Sequence, residues 1–422
     1  MKCKRIFIVI VLFLMFSMSS NSFARAYAET NNLPTIDGKA AITVDVATGE
    51  IIYAKNVDKQ MYPASTTKIM TALLLAENRA KTDELKYTQS AKSQPADSLN
   101  VNFHSIGIGE TMSAGDVMDG LLMYSANDLA YMIADNVSGD STNFAKTMND
   151  KAAKLNMTGT HFVTANGLHD PDHYTTPYDM SILARAAILN PWVKESMGKK
   201  QNTLLTSTGT TFDIKNTNKL LGVDGCIGGK TGYTTPAGRC LVAFYERDGR
   251  QIMGVVMNSI YDPYNDIYVF KDMKEIIDYS YKLEKAVLHE SNSVIKTEIL
   301  KYKPLGFFGP EKTVSVPLIA KEDVSYYSNE ANKKDLKENI NVDSISISSI
   351  KKNESVGTLS LTEKGKVKTY KLYSSVTYES ITKGNMLIYF MAAVIVIFGL
   401  AVMVFIIRTI NLNKRKKRRR RR

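Results

Sequence analysis

Histidine and cysteine are scarce in this chain: of its 422 residues, 5 are His and 3 are Cys. None of them falls in the paired Cys/His spacing of a structural zinc site, so we expect no bound metal and no cofactor. Cys3 lies ahead of an apolar N-terminal run, which leaves Cys226 and Cys240 as the residues that can form a disulfide. That pairing stays open, although a hairpin turn near Pro236 would bring Cys240 closer to Thr231 than to Cys226.

Acidic residues are absent from both ends of the chain, and this absence explains its net charge of +12. Residues 1–28 carry four basic residues, and residues 385–422 carry ten, of which nine are consecutive. Without these fourteen charges the rest of the sequence has a net charge of −2. A near-neutral body excludes the broad basic surface that attracts nucleic acid, so we expect no nucleic-acid partner.

The N-terminal apolar run, residues 6–18, has the features of a secretory signal. Basic residues precede it, and the small-x-small sequence Ala26-Tyr27-Ala28 follows it. This pattern predicts a signal peptide over residues 1–28. With thirteen residues the run is shorter than the ~20 that cross a bilayer, and an uncleaved anchor is the alternative.

The C-terminal apolar run, residues 386–407, is 22 residues long and carries no charge, which predicts a transmembrane helix. The basic tail at residues 408–422 follows directly, and the positive-inside rule places it in the cytoplasm. We therefore expect a single-pass protein of the cell membrane, with residues 29–385 outside the cytoplasm. The alternative for the tail is nucleic-acid binding, but beside a spanning helix we favour an orienting role and contact with anionic lipid.

Residues 29–284 show strand patterns at both ends and helical patterns between them. Residues 65–76 are apolar nearly all round, which predicts a buried central helix. Hairpins are predicted at residues 41–54 and 241–257, and further helices at residues 114–135, 141–155 and 270–281. Together these patterns predict an α+β sandwich built around one antiparallel sheet.

Residues 285–380 change to short alternating strands, with a hairpin turn at Glu363-Lys364-Gly365-Lys366. We interpret them as a small all-β domain between the sandwich of residues 29–284 and the membrane. No constellation of chemical groups stands out in this segment, so it is best interpreted as a spacer.

Candidate chemistry lies in three short motifs: Ser65-Thr66-Thr67-Lys68, Ser125-Ala126-Asn127 and Lys230-Thr231-Gly232. Each is weak alone, and further Ser-x-x-Lys and Ser-x-Asn copies occur, for example at Ser293 and Ser141. Context selects the first set, because its members are predicted on a helix, a loop and a strand in that order. Taken singly, they would be an ordinary helix cap with a solvated lysine, loop residues and a turn.

The Ser-x-x-Lys spacing suits nucleophilic catalysis. A serine hydroxyl needs an adjacent base, and residues i and i+3 share one helix face, so Lys68 can reach Ser65. Lysine acts as a base only when burial or a second cation lowers its pKa. We expect the apolar helix to bury Lys68 and Lys230 to supply the second cation. The helix N-terminus offers backbone N–H groups to an oxyanion, and glycines beside Lys230 let a substrate backbone lie along the strand.

These motifs resemble those of the low-molecular-weight penicillin-binding D-alanyl-D-alanine carboxypeptidases, serine peptidase family S11. The resemblance runs from about Ala40 to Leu283. Its further blocks are Thr160-His161-Phe162, Asn166-Gly167-Leu168, His173-Tyr174-Thr175-Thr176 and Gly229-Lys230-Thr231-Gly232-Tyr233-Thr234. It implies a β-lactamase/transpeptidase-like sandwich that removes D-alanine from peptidoglycan stem peptides ending in D-Ala-D-Ala, with β-lactams as covalent inhibitors.

The resemblance also assigns roles at the site. It implies an acyl-enzyme on Ser65, with Lys68 as proton acceptor and Ser125 as proton relay to the leaving D-alanine. The substrate-binding residues would be Asn127 on the substrate amide, Lys230 and Thr231 on the terminal carboxylate, Gly232 in the same strand, and the N–H groups of Ser65 and Tyr233 as oxyanion hole.

Two departures from the family and three rivals remain. Some relatives carry an arginine after the last strand pair, where this chain has Tyr261-Asp262-Pro263-Tyr264, and several anchor by a helix lying on the membrane. A class A β-lactamase would need a deacylating glutamate, but only Glu195 lies between the second and third motifs, and no Asn follows four residues on. The other rivals are a D,D-endopeptidase acting on cross-links and a non-catalytic β-lactam-sensing or wall-binding protein.

Overall fold

The computed structural model describes residues 33–306 and 308–419. The predicted signal peptide, residues 1–28, lies outside the described residues. In chain order the strands of the described residues are β1 (Ala40–Asp45), β2 (Ile51–Lys55), β3 (Glu84–Lys86), β4 (Thr111–Ser113), β5 (Gln201–Leu205), β6 (Thr211–Lys215), β7 (Cys226–Thr234), β8 (Gly238–Arg247), β9 (Arg250–Ser259), β10 (Ala286–His289), β11 (Val294–Tyr302), β12 (Lys312–Ala320), β13 (Val324–Tyr326), β14 (Lys337–Val342), β15 (Ser355–Glu363) and β16 (Lys366–Ser374).

The α-helices of the same residues span Lys68–Asn78, Gln89–Lys92, Leu99–Asn102, Ala114–Asp119, Asn127–Ser138, Ser141–Lys154, Pro177–Ile188, Pro191–Gly198, Tyr268–Lys282, Glu330–Asp335, Tyr378–Lys383 and Met386–Arg419. Short 3-10 helices lie at Ala64–Thr67 and Ile347–Ser349, and a π-helix lies at Gly120–Tyr124.

The central sheet has five antiparallel strands in the order β2-β1-β9-β8-β7. Successive residues of a strand point to opposite faces, and here the two faces enter two cores. Val242 and Phe244 of β8 pack on the side of helix Lys68–Asn78, whereas Leu241 and Ala243 pack on the side of helix Tyr268–Lys282. The predicted α+β sandwich is therefore confirmed, together with its hairpins β1–β2 and β8–β9.

The central helix, Lys68–Asn78, is buried along its first eight residues, as its apolar sequence predicts. It begins later than predicted, because Ala64–Thr67 forms a 3-10 turn before it. The helical stretch predicted over residues 114–135 is also divided. Its middle turn, Gly120–Tyr124, is π-helical, and it ends at Ser125 in a left-handed conformation with φ of 78°. That break separates helices Ala114–Asp119 and Asn127–Ser138.

The C-terminal β region contains a five-stranded sheet in the order β11-β12-β16-β15-β14, with its own apolar core. The turn predicted at Glu363–Lys366 is present, since these two residues pair across β15 and β16. The region docks on the catalytic part through Glu50, a buried carboxylate that accepts a 2.8 Å hydrogen bond from Lys285 and another bond from Lys368. Burial alone would raise the pKa of Glu50, but the two lysines lower it to about 2.

The last helix, Met386–Arg419, has 34 residues, and by length and composition it could cross a membrane. It contains the whole predicted span of residues 386–407 and continues through the first basic residues of the tail.

Candidate active site

The backbone around Ser65 is held in a conformation that few residues tolerate. Ala64, directly before it, has a φ of +48°. Gly167 lies against this turn, and a Cβ at position 167 would stand 2.0 Å from the carbonyl oxygen of Ala64. Gly167 itself has a φ of +80°, so glycine is required there both for the space and for the backbone angle. Strain of this kind concentrates at functional sites.

Lys68 is fully buried, and its amine nitrogen has three polar neighbours. Nζ lies 2.9 Å from Ser65 Oγ, 2.8 Å from Asn127 Oδ1 and 2.8 Å from the carbonyl oxygen of Asn166. The Asn127 amide is oriented by a 2.8 Å bond from its Nδ2 to the carbonyl oxygen of Ala96, which turns Oδ1 toward the lysine. Burial lowers the pKa of Lys68 to about 7, against the opposing effect of the Asp97 and Asp128 carboxylates.

A neutral amine can satisfy all three contacts of Lys68. Asn127 Oδ1 and the Asn166 carbonyl can only accept, so they take the two N–H groups of an uncharged lysine. The third neighbour, the hydroxyl of Ser65, can donate, and the remaining lone pair of Nζ can accept its proton. The arrangement therefore suits removal of the hydroxyl proton from Ser65.

Lys230 is a second buried lysine beside the first. Its Nζ lies 2.8 Å from Ser125 Oγ and 2.8 Å from the carbonyl oxygen of Thr231. Burial lowers its pKa well below the ordinary value, and the positive charges of Lys68 and Arg239 lower it further. The structure thus brings all three predicted motifs together, because Ser125 at its left-handed position faces Lys230, and Asn127 faces Lys68.

Strand β7 supplies the open side of the site. It lies at the edge of the central sheet, paired only with β8 among the described strands, and it packs against the turn Ala64–Thr67. A Cβ at Gly232 would lie 2.9 Å from the backbone nitrogen of Ser65, so glycine keeps this space free. Thr231 Oγ1 is held 2.8 Å from Thr217 Oγ1. An unpaired strand edge can take up an extended peptide by main-chain hydrogen bonds.

His173, for which the sequence motifs imply no separate role, supports the site. His173 is buried, and its Nε2 lies 2.8 Å from Thr67 Oγ1, while Nδ1 accepts from the N–H groups of Val163 at 2.9 Å and Thr164 at 3.1 Å. Two N–H donors on Nδ1 require a neutral ring with its proton on Nε2. Burial lowers the pKa of His173 to about 4.

The loop after the last strand pair, in which the sequence has no arginine, places an aromatic residue beside β7. The ring of Tyr261 stacks on that of Tyr233 with centroids 3.9 Å apart. Arg239 lies behind this pair, 5.7 Å from the centre of the Tyr261 ring and 2.7 Å from Asp266. Its guanidinium also lies 6.0 Å from the ring centre of Phe270, on helix Tyr268–Lys282.

Two further questions left open by the sequence are answered. Cys226 and Cys240 are both free and buried, and the cross-strand partner of Cys240 is Gly232. Glu195 is half-exposed and pairs with Lys81 at 2.5 Å and Lys199 at 3.5 Å, so it does not supply a deacylating carboxylate.

Within residues 33–306 and 308–419 there is no cluster of His, Cys, Asp and Glu that could hold a metal ion.

Comparison with known proteins agrees with this geometry. A family model described as D-alanyl-D-alanine carboxypeptidase matches residues 27–260, and one described as penicillin-binding protein 5, C-terminal domain, matches residues 307–380. The D-alanyl-D-alanine carboxypeptidase DacF of Bacillus subtilis is 28% identical over 84% of this chain and 89% of its own length.

Two solved structures illustrate the fold. Penicillin-binding protein D2 of Listeria monocytogenes, in its ampicillin-bound form, is 31% identical with a TM-score of 0.51, over 58% of this chain and 98% of that one. The D-alanyl-D-alanine carboxypeptidase DacD of Francisella tularensis has a TM-score of 0.59 over 81% of this chain and 94% of its own, and at 21% identity it shows the fold alone. Because the first family model spans more than half of the sequence, this chain belongs to the D-alanyl-D-alanine carboxypeptidase family of serine peptidases.

Proposed function

We propose that this protein is a serine-type D-Ala-D-Ala carboxypeptidase, which removes the terminal D-alanine of peptidoglycan stem pentapeptides through an acyl-enzyme on Ser65. The observation that carries the proposal is the set of contacts at the buried Lys68, whose Nζ lies 2.8 Å from two obligate acceptors and 2.9 Å from the Ser65 hydroxyl oxygen. The names of the relatives, carboxypeptidases and an ampicillin-bound penicillin-binding protein, support the same substrate and inhibitor classes.

In the first step Ser65 Oγ gives its proton to Lys68 Nζ and attacks the carbonyl carbon of the penultimate D-alanine. The developing oxyanion would bind the backbone N–H groups of Ser65 and Tyr233. Preorganised donors of this kind typically contribute about 3 kcal/mol of transition-state stabilisation each. Collapse of the intermediate breaks the peptide bond. Ser125 gives its hydroxyl proton to the leaving amine and takes the proton held by Lys68, so that Lys68 is neutral again.

Recognition of the substrate would use the edge of β7. The peptide lies extended along this strand, and its terminal carboxylate meets Lys230 and the hydroxyl of Thr231. Gly232 leaves room for the substrate backbone beside Ser65. Asn127, whose Oδ1 lies 2.8 Å from Lys68 Nζ, would contact the substrate amide. A β-lactam carries both a reactive carbonyl and a carboxylate, so it would occupy the same groups and acylate Ser65.

In the second step a water molecule attacks the ester carbonyl of the acyl-enzyme. It gives a proton to Lys68, and the proton returns to Ser65 Oγ as the ester bond breaks. Glu195 does not act as the base at Ser65, because it pairs with Lys81 and Lys199 elsewhere on the surface. This supports slow hydrolysis of a β-lactam adduct and hence inhibition by β-lactams.

For the location, we propose that helix Met386–Arg419 anchors the protein in the cell membrane. The basic residues from Lys414 onward would stay in the cytoplasm, and the catalytic domain would face outward. The uncharged stretch of 22 residues and the adjoining run of nine basic residues support this orientation.

The experiment that tests the activity measures D-alanine release from a diacetyl-L-Lys-D-Ala-D-Ala peptide and, in parallel, cleavage of a cross-linked muropeptide dimer. The proposal expects release from the peptide at a rate well above that of dimer cleavage. Dimer cleavage that is faster than peptide hydrolysis would identify an endopeptidase and overturn the proposal. Acylation by penicillin without any D-alanine release would identify a sensor instead.

A further inference from the structure

The turn between β11 and β12 presents large apolar side chains to solvent. Leu305 and Phe308 pair with one another across this turn, which also contains Gly306 and Gly309, both with positive φ. Phe308 is 78% exposed and Leu305 is 37% exposed. An aromatic and an aliphatic side chain exposed together at the end of a hairpin form an apolar patch. Such patches mark contacts with a protein partner or a membrane.

The hairpin reaches beyond the body of its domain. Strand β12 is buried at alternate residues only from Val316 onward, and β16 pairs with it only over Leu318–Ala320. The outer half of the hairpin therefore has β11 and β12 alone. Leu300 and Val314 on one of its faces still pack against the domain core, which fixes the direction of the arm.

This arm lies directly beside the start of the proposed membrane helix. Asn385, the residue before Met386, is buried, and its Nδ2 donates to Tyr302 Oη at 2.7 Å while its Oδ1 accepts from Lys312 Nζ at 2.9 Å. Tyr302 and Lys312 are the last paired residues before the turn. The exposed tip therefore follows directly after the two residues that hold the chain at the point where it would enter the bilayer.

The charges around the tip match a lipid headgroup layer. Lys301 and Lys303 are exposed on the β11 side of the turn, and Lys312 lies on the β12 side. Lys301 shares a 3.5 Å contact with Glu311, the acidic residue of the turn. Phenylalanine and leucine flanked by lysines are typical of segments that lie in a membrane interface.

We propose that the tip of the β11–β12 hairpin inserts Leu305 and Phe308 into the outer-leaflet interface of the same bilayer that helix Met386–Arg419 crosses. The inference rests on the proposed transmembrane span. The helix alone would allow the domain to swing about residue 385, whereas a second contact fixes its tilt. Because Glu50, Lys285 and Lys368 bind the β domain to the catalytic part, the tilt of one sets the tilt of the other.

The test uses the full chain in lipid nanodiscs and tryptophan quenching by lipids brominated on their acyl chains. Trp192 is the single tryptophan, so a Trp192→Phe background allows one reporter at a time. The reporter is Phe308→Trp. Val367→Trp serves as a matched exposed control, since its hairpin turn contacts the catalytic part through Lys364 and Asp58. Phe398→Trp, inside the terminal helix, reports the span itself.

We expect Phe308→Trp to lose about half of its emission in brominated lipid, as an interfacial residue should, and Val367→Trp to lose almost none. Phe308→Trp quenched no more than Val367→Trp, with Phe398→Trp strongly quenched, would overturn the hairpin contact and leave the span intact. Emission from Phe308→Trp that is blue-shifted but unquenched would show that protein covers the tip, which also overturns the inference. An unquenched Phe398→Trp would overturn the span instead.

Discussion

The amine nitrogen of Lys68 lies 2.9 Å from the hydroxyl oxygen of Ser65, at the buried start of the central helix. The separation of three residues gives this proximity. Asn127 Oδ1 and the Asn166 carbonyl oxygen provide two further hydrogen-bond acceptors for the lysine. In the neutral form of the lysine these two groups can accept its two N–H hydrogens, and its lone pair can then accept the hydroxyl proton of Ser65. These contacts support the proposed role of Lys68 as the base that accepts the Ser65 proton.

The first prediction concerns this lysine. Lys68→Ala removes the proton acceptor and should lower the second-order rate constant of acylation by penicillin by about 1,000-fold. Stopped-flow fluorescence with a reporter β-lactam measures the rate. Lys59→Ala, at an exposed lysine, is the matched control and should acylate at the wild-type rate. Acylation of Lys68→Ala within a factor of about three of the control would remove Lys68 from the proposed mechanism.

The second prediction is the pH dependence of acylation. Only the neutral form of Lys68 has a lone pair, and burial lowers its pKa to about 7. The rate constant should therefore fall as the pH decreases through about 7 and should level off above it. A rate that stays flat between about pH 5 and 9 would mean that no group with the lowered pKa of Lys68 controls the step.

The third prediction separates backbone strain from steric conflict. Gly167→Ala adds a Cβ 2.0 Å from the Ala64 carbonyl oxygen at a φ of +80°, and Gly209→Ala adds one at a φ of +87° with no atom within 4 Å. Both should lose about 1 kcal/mol of unfolding free energy to the backbone angle. Gly167→Ala should lose several times more and should acylate slowly, because the turn before Ser65 must move.

Urea unfolding and the acylation rate of the two glycine variants provide the check. Equal stability loss in Gly167→Ala and Gly209→Ala, with normal acylation in both, would contradict the tight fit of Gly167 against the Ser65 turn.

The fourth prediction concerns His173. Its folded-state pKa of about 4 lies below the unfolded value of 6.5, so the unfolded chain binds the proton first as the pH falls. The stability that neutral His173 preserves is complete above about pH 6.5 and is lost toward pH 4, by about 3 kcal/mol. His173→Gln can donate to Thr67 and accept from the same backbone N–H groups without titrating.

Unfolding free energies at pH 7 and pH 4 measure this effect. The loss between the two pH values should be smaller in His173→Gln than in the wild type, whereas His104→Gln, at an exposed histidine, should match the wild type. Identical losses in all three proteins would show that His173 does not stay neutral in the folded state.

The fold class and the proximity of Ser65 to Lys68 could be predicted from the sequence, for a physical reason. Strand alternation and an apolar central helix determine the sandwich, and the spacing of Ser65 and Lys68 places both on one helix face. The same patterns could not locate Asn166, because it contributes a backbone carbonyl, which every residue has. They could not resolve the break at Ser125 either, since the periodicity of residues 114–135 continues across the π-turn that produces it. The roles assigned to the individual site residues stay predictions, from Ser65 and Lys68 to Ser125, Asn127 and the strand residues Lys230, Thr231, Gly232 and Tyr233.

Two further features depend on tertiary contacts that periodicity does not encode. Arg239 lies across from Tyr233 on β8, yet its partners Asp266 and Tyr261 come from a loop after β9. The sequence of the β11–β12 arm is that of an ordinary hairpin. Only its contact with Asn385 reveals that its tip adjoins the proposed membrane helix.

The most direct test of the central claim is mass spectrometry of the full chain after incubation with penicillin, with peptide mapping of the adduct, on the wild type and on Ser65→Ala. We predict one penicilloyl group per wild-type chain, mapped to the peptide that contains Ser65. We also predict no adduct and no D-alanine release for Ser65→Ala, with its unfolding transition unchanged. An adduct mapped to another serine, or D-alanine release by folded Ser65→Ala, would contradict the assignment of Ser65 as nucleophile.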